Sequence, residues 1–368
     1  MKILCEQSNL INGINIVLKA VPSKTTMEIL ECIKIKADDN KITFTGNDMS
    51  LGIETVIEGD IVEEGITVVN AKIFSDFIRS LPNEEVVLET DKETLNIRCG
   101  KIKFNVPVRN ASDYPELPQI NKDKSAVMSQ QTLRNMIRQT VFSISADNEA
   151  MKIMTGELLE IKGRKLRLVA LDGHRISLRN VELNEEYEDV KVIIPGKTLN
   201  ELVKILSGEF EDKVTIYFSE NHVLFEITNT IILSRLIEGE YYLVDRMISG
   251  DYETKVNVNK RRMSECIDRA LLLIKENDKK PLIFNFNDDL MDVKIRTQIG
   301  YYEDRVDTKK EGNDIVIAFS PKFLSEALKV IDDEDINIYM MNVKSPCIIK
   351  DDEETYMYLI LPVNFNAE

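Results

Sequence analysis

Two histidines occur in the 368 residues, His174 and His222. His174 sits in Asp172-Gly173-His174-Arg175, which sets a carboxylate, an imidazole and a guanidinium within four residues. Such a cluster could move a proton or hold an anion if a nucleophile or a metal ligand joined it. None stands near it in the sequence, and no Gly-rich phosphate loop, H-E-x-x-H pair, EF-hand loop or nucleophile elbow occurs. The same four residues also spell a tight turn between strands, with Gly173 supplying a positive φ. Site and turn both remain open at this point.

The second chemical signal is basic. Formal net charge is −16, which on its own favours solubility over nucleic-acid binding. Six windows with helical spacing (7–20, 70–81, 130–143, 196–207, 259–275 and 320–331) nevertheless hold 14 basic and 5 acidic residues. The rest of the chain holds 33 basic and 58 acidic residues, so the helices are net positive in an otherwise acidic protein. Lysine and arginine on helices suit phosphate contacts with little base readout. The alternative is that Lys72 with Asp76, and Lys197 with Glu201, are i,i+4 pairs on solvated faces.

The elements that carry these charges repeat. Related stretches start at Asn70, Pro195 and Ser320, spaced by 125 residues. Their apolar residues fall at i, i+3, i+4 and i+7: Phe74/Phe77/Ile78/Leu81, Leu199/Leu202/Val203/Leu206 and Leu324/Ala327/Leu328/Ile331. That spacing predicts one buried face on a helix, and the polar face recurs as Lys72/Asp76/Arg79, Lys197/Glu201/Lys204 and Lys322/Glu326/Lys329. A second amphipathic stretch opens each repeat, at Leu10/Ile14/Val17/Leu18, Leu133/Ile137/Val141 and Met263/Ile267/Ala270/Leu271.

Between the helices the pattern alternates with period two, as in 29–36, 41–45, 101–106, 165–169, 214–218 and 335–340. Turn residues at 38–40, 45–48, 91–93, 219–221 and 287–289 separate these runs. One unit used three times is the reading, an α+β fold with two helices lying on antiparallel sheets in each repeat. The domains are expected at 1–122, 123–249 and 250–368, joined by aperiodic surface links over 107–128 and 238–254.

The hydrophobic fraction of 43% fits a soluble globular protein, and no apolar run approaches membrane-span length. No signal segment opens the chain, so a cytoplasmic location is expected. Cys5, Cys32, Cys99, Cys266 and Cys347 are scattered and read as free, buried thiols. No metal or cofactor is expected.

Three features together resemble a known family: Leu171-Asp172-Gly173-His174-Arg175, the terminal Tyr358-Leu359-Ile360-Leu361-Pro362-Val363, and Phe44-Thr45-Gly46-Asn47-Asp48 beside the three repeated helices. The chain resembles the bacterial DNA polymerase III beta subunit, the replicative sliding clamp, along essentially its whole length. The resemblance implies three domains of like fold per chain and a head-to-tail homodimer, a closed ring whose twelve helices surround duplex DNA. It implies a non-catalytic tether for the replicative polymerase that also meets the clamp loader and repair polymerases or ligase through short linear peptides. The ring is expected in the cytoplasm, at the nucleoid during replication.

Carried over residue by residue, the resemblance puts DNA contacts at Lys24, Lys72, Lys152 and Lys197. The charge pattern adds Arg134, Arg138, Arg261, Arg262 and Lys322. The partner-peptide cleft falls between the second and third domains, at Met154, Leu171, Gly173, His174, Arg175, Ile176, Tyr242, Arg246, Met247, Leu359, Ile360, Leu361, Pro362 and Val363. The subunit contact joins Phe77, Phe104 and Val106 of the first domain to Leu272 and Leu273 of the third.

The chain also departs from the family. Tyr241-Tyr242 stands where many members have an aromatic–proline pair, and Asp245 where a basic residue is frequent. The loop 146–152 reads as lengthened, and the tail 363–368 is its own. A monomeric adaptor of the same fold would keep the cleft and lose the ring.

Overall fold

The computed structural model describes residues 1–146, 149–248, 250–275 and 280–365. Six α-helices occur among them, two per repeat: α1 (Gln7–Val17), α2 (Ala71–Ser80), α3 (Gln130–Arg138), α4 (Gly196–Leu202), α5 (Lys260–Leu271) and α6 (Pro321–Val330). The apolar spacing found most of each helix. It overran α3 and α4, because residues 141–143 form a separate 3-10 turn after Thr140 and the chain leaves α-geometry after Leu202.

A local device ties each helix pair together. The first residue of the leading helix reaches the end of the second, where carbonyls lack intrahelical partners. Gln7 Nε2 donates to the carbonyls of Ile78 and Leu81 at 3.0 and 3.2 Å. Lys260 Nζ likewise donates to Ile331 O at 2.6 Å, whereas Gln130 Oε1 accepts from Ser207 N at 2.9 Å, five residues past the end of α4. At the opposite ends, Asn70 and Asn259 cap α2 and α5 by accepting from Ile73 N and Arg262 N, each cap worth about 1 kcal/mol.

The chain forms two compact units that differ from the sequence repeats. One comprises Met1–Thr132 and Asn200–Leu236, the other Leu133–Leu199 and Ile237–Glu368. The first unit holds a 13-stranded sheet and the second a 10-stranded sheet, both laddered antiparallel. The second repeat is divided, with its strands Lys213–Phe218, His222–Ile227 and Thr230–Arg235 in the first unit and its long hairpin, Gly156–Leu171 with Arg175–Pro195, in the second. In the first unit Leu10, Ile14, Phe44, Phe74 and Ile78 are fully buried, with Phe44 and Phe74 edge-on at 6.4 Å. In the second unit α5 and α6 bury Met263, Ile267, Leu324 and Leu328 against Phe284, Phe286 and Val293. All five cysteines are free and buried.

Four expectations need correction. The strand expected from residue 29 starts at Cys32, because Glu28–Glu31 winds into a 3-10 turn whose Ile29 packs on the Cys32–Val68–Tyr114 cluster. The turn expected at 45–48 begins at Asp48, since Lys41–Asn47 stays in the ladder and Met49 takes the positive φ. The link 107–128 is not wholly a surface connection: Pro107 lies in the strand Ile102–Arg109, Tyr114 is buried, and Lys124–Ser129 is a strand. The link 238–254 is likewise anchored, by buried Tyr241 and Val244. Ser249 and residues 366–368 lie outside the described residues, so the exact ends of the second and third domains do too.

Candidate functional site

The cleft expected from the resemblance falls within the second unit and is built around the Asp172 turn. This turn joins Gly156–Leu171 to Arg175–Pro195. Asp172 Oδ1 accepts from His174 N at 2.9 Å and Arg175 N at 3.1 Å, an Asx-type turn. Gly173 has φ +87°, and the space beside its Cα is open. The strand Tyr356–Ile360 ladders onto Arg175–Arg179, and Leu361 N closes the junction by donating to His174 O at 2.9 Å. Val363 N then donates to Ala318 O at 2.8 Å, which fixes the course of the terminal segment.

Arg175, one of the residues expected at the cleft, is buried. Its side chain is only 7% exposed. Nε donates to Asp172 Oδ2 at 2.9 Å, Nη1 pairs with Glu326 of α6, and Nη2 donates to Phe142 O at 2.6 Å. The guanidinium also lies 4.4 Å from the Phe323 ring centroid. A buried charge held by two carboxylates, a carbonyl and an aromatic face organises the turn from behind. It also occupies Asp172, whose two carboxylate oxygens accept from Arg175 Nε and from the His174 and Arg175 amides. His174 itself is exposed and stacks on Phe323 at 6.1 Å.

Met154, Leu171, Ile176 and Leu359 are buried in one cluster with Tyr241 and Val244, so they form a floor rather than an open wall. Ile360 points into a different cluster, the core beneath α5 and α6, because successive strand residues face opposite sides. The accessible apolar groups are Leu361 at 37%, Tyr242 and Met247, flanked by half-buried Pro362 and Val363 and exposed Arg246. Sequence reasoning passed over Leu243, which is exposed, and over Phe323 and Glu326. The recurring polar face of the helix was the available signal for Glu326.

The departures have structural outcomes. Tyr241 is buried, with its hydroxyl donating to Val169 O at 3.1 Å, and burial pushes its phenol well above the usual range. Tyr242 remains at the rim, edge-on to Tyr241. Asp245 accepts from Arg167 Nη1 at 2.7 Å. In the loop 146–152, Asp147 and Asn148 lie outside the described residues, as does the end of the tail.

Beneath the floor is a buried acid. Glu157 Oε2 lies 3.1 Å from Thr140 Oγ1, which is also 2.8 Å from Met136 O, and Oε1 has no partner. One hydroxyl proton cannot serve both acceptors, so the network closes when Glu157 is protonated. Desolvation raises its pKa to about 8.

Among the basic residues, Lys24, Lys72, Arg134, Lys152, Lys197, Arg261, Arg262 and Lys322 are exposed. Asp76 pairs with Arg79 and Glu201 with Lys204, both at i,i+3. Arg138 is tied to Asp332 at 3.1 Å through both carboxylate oxygens, and Arg261 pairs with Glu265 at 2.9 Å. Of the residues expected at the subunit contact, Leu272 is 80% exposed, while Phe77 and Phe104 are half-buried and stacked at 4.0 Å. Leu273 packs partly on the core. Val106 is buried within its own unit, so it supports such a contact from below.

The family profiles decide what this architecture is. Profiles for the DNA polymerase III beta subunit match end to end: the N-terminal domain over residues 1–118, the central domain over 127–242 and the C-terminal domain over 245–364. The chain belongs to the DNA polymerase III beta subunit family. It is 36% identical over 377 residues to the beta sliding clamp of Bacillus subtilis and 34% identical over 376 residues to that of Staphylococcus epidermidis, with 99% of each chain covered. Among solved structures it resembles a chain assigned as the DNA polymerase III beta subunit of Eubacterium rectale, at 52% identity and TM-score 0.96, and the sliding clamp of Bacillus subtilis, at 34% identity and TM-score 0.95. Both matches cover 100% of each chain. Its role is that of a DNA sliding clamp, a non-catalytic processivity factor.

Proposed function

We propose that the chain acts as one half of a closed ring that encircles duplex DNA and holds the replicative polymerase on it. The observation that carries this reading is the end-to-end match of three clamp domains to a chain whose net-basic helices interrupt an acidic sequence. Lys24, Lys72, Arg134, Lys152, Lys197, Arg261, Arg262 and Lys322 would meet phosphates. Weak contacts without base readout let a ring slide, and the acidic remainder repels DNA from the outside. Arg138 contributes less, because Asp332 already neutralises it. Charge reversal of Lys72, Lys197 and Lys322 together should weaken retention on nicked circular DNA while leaving the thermal midpoint in place. Unchanged retention would refute the lining.

The cleft supports docking of a short linear peptide. Tyr242, Met247, Leu361 and His174 offer apolar and aromatic surface around a turn whose backbone is already bonded. Polymerase, clamp loader and repair enzymes would share this surface in turn. A labelled clamp-binding pentapeptide should saturate the full chain and lose binding when the chain stops before Leu361. No binding at high micromolar concentration would remove the cleft assignment. Phe77 and Phe104, backed by Val106, with Leu272 and Leu273 supply the apolar surfaces of the subunit contact.

Domain limits of 1–122, 123–249 and 250–368 are part of this reading and rest on the 125-residue repeat of the helix pairs. No helix among the described residues is long and apolar enough to cross a membrane. A cytoplasmic, nucleoid-associated location follows from the proposed role and is tested by fluorescence of a tagged chain in replicating cells.

A further inference from the structure

The two internal junctions share one backbone plan, so their residues match position by position. Arg235 N closes the first on Ser50 O at 2.8 Å, and Leu361 N closes the second on His174 O at 2.9 Å. Leu233 stands opposite Gly52 where Leu359 stands opposite Ile176, and Leu224 and Ile348 are their neighbours in the next strands. Tyr114 and Tyr241 donate to the matched carbonyls of Thr45 and Val169. Counted from these tyrosines, Glu116-Leu117 of the first link corresponds to Leu243-Val244 of the second.

Two positions break the match. Lys34 lies opposite Val68 as Leu158 lies opposite Ile193, so an ammonium takes the place of a buried floor residue. Lys34 is only 5% exposed. Among the described residues its one ionic partner is Glu116, whose Oε2 lies 2.8 Å away on a side chain that is itself 79% exposed. The other position is Gly52, which replaces Ile176. A Cβ there would run into the Leu117 side chain, so the missing side chain lets that leucine lie against the strand.

Beside them the first unit holds a cavity of about 410 Å³, lined by Leu224, Ile231 and Leu233 of the sheet and by Glu116, Leu117 and Ile120 of the link. Among the described residues, the backbone N–H groups of Glu116, Leu117, Gln119 and Ile120 have no partner in the protein. The second link, by contrast, is wound on itself through Val244 N to Tyr242 O and Met247 N to Val244 O. A carboxylate on a buried ammonium and a leucine over a glycine thus fasten the first link, with no backbone bond from these four amides.

We infer that the first junction is a second docking cleft, closed in cis by Glu116-Leu117, and that it takes an extended acidic–apolar peptide of a partner in exchange for the link. The partner's carboxylate replaces Glu116 on Lys34, because a buried ammonium left unpaired is strongly destabilising. Its adjacent leucine-like side chain takes the place over Gly52, and the apolar cavity gives room beside it. The link competes as a tethered ligand at a high effective concentration, so the intact chain binds such a peptide weakly.

The test uses the full-length chain and a labelled hexapeptide that copies residues 115–120, blocked at both ends and followed by fluorescence anisotropy. Leu117→Ala weakens the tethered competitor, and one peptide per chain should bind it about tenfold tighter than wild type or more, the factor for burying one leucine side chain. Adding Lys34→Met should abolish that binding, and methionine keeps the position apolar and filled, as Leu158 does at the second junction. A peptide with glutamine in place of its glutamate should fail likewise, which tests the ammonium without altering the chain. The clamp-binding pentapeptide should not displace the hexapeptide. No saturable binding to a folded Leu117→Ala chain overturns the inference. So does displacement by the pentapeptide, or binding indifferent both to Lys34→Met and to the peptide's glutamate.

Discussion

The Asp48 turn and the Asp172 turn are built alike and used differently. Each begins with an aspartate that accepts from the backbone amides two and three residues on, and each is followed by a strand that receives a partner in the same register. Each is backed by a buried tyrosine whose hydroxyl donates to a strand carbonyl, Tyr114 to Thr45 O and Tyr241 to Val169 O. The side chains diverge. Leu51 drops into the core where Arg175 needs Asp172, Glu326, Phe142 O and Phe323 to be buried at all. Met49 takes a left-handed φ of 73° where Gly173 leaves open space. A common backbone thus yields one plain junction and one surface that presents His174 and Leu361, and the cost of the second is a buried ionic network.

Removing that network should break the comparison most severely. Arg175→Ala leaves Asp172 and Glu326 without their cation and should destabilise the second unit by about 3–5 kcal/mol, read as a fall in the thermal midpoint with peptide binding lost. Leu51→Ala, by contrast, should cost about 2–5 kcal/mol with peptide affinity intact. A loss of peptide binding in Leu51→Ala at a temperature where it is folded would sink the division of roles.

Glu157 gives an effect that depends on pH and has no counterpart at the first junction. Its folded pKa, near 8, lies above the unfolded value near 4.5, so the folded state binds the extra proton. Stability from this group is full below pH 4.5 and is lost as pH rises through 8. Glu157→Gln should gain over wild type progressively between those limits and level off above them, as followed by urea midpoints across pH. A difference that does not vary with pH would mean that Glu157 is ionised when folded.

The tyrosines sharpen the contrast at about 1 kcal/mol each. Tyr241→Phe and Tyr114→Phe should lower stability alike, but only the first should weaken the pentapeptide, measured by fluorescence anisotropy. Smallest are the turn swaps. Gly173→Ala costs about 1 kcal/mol through its positive φ alone, since nothing lies within 4 Å, whereas Met49→Gly should change the thermal midpoint only slightly.

Local regularities were legible and long-range pairings were not. Helical spacing exposed the three repeats because a buried helix face writes its period into neighbouring residues, as Phe74 and Ile78 or Leu324 and Leu328 do. The Asp172 turn was readable because its bonds span three residues. Arg175 and Glu326 are 151 residues apart, and nothing in either one's surroundings predicts the other. Tyr241 looked like part of a surface link because its anchor, Val169 O, belongs to the backbone, which every residue shares. Met154, Leu171, Ile176 and Leu359, named together from the sequence, share one buried cluster, but a strand sequence does not say which apolar residues stay open to solvent. Ile360 and Leu361 are neighbours, and one is core while the other is accessible.

The division of the second repeat between two sheets has a consequence for synthesis. The strand Leu51–Ile57 is made early, yet its partner Thr230–Arg235 leaves the ribosome some 175 residues later. Until then the nascent first unit carries an unpaired, largely apolar edge that any extended chain could occupy. Folding of this unit is therefore slow by topology, since its closing contacts are distant in sequence. Excising residues 123–249 as a fragment would reproduce the hazard permanently.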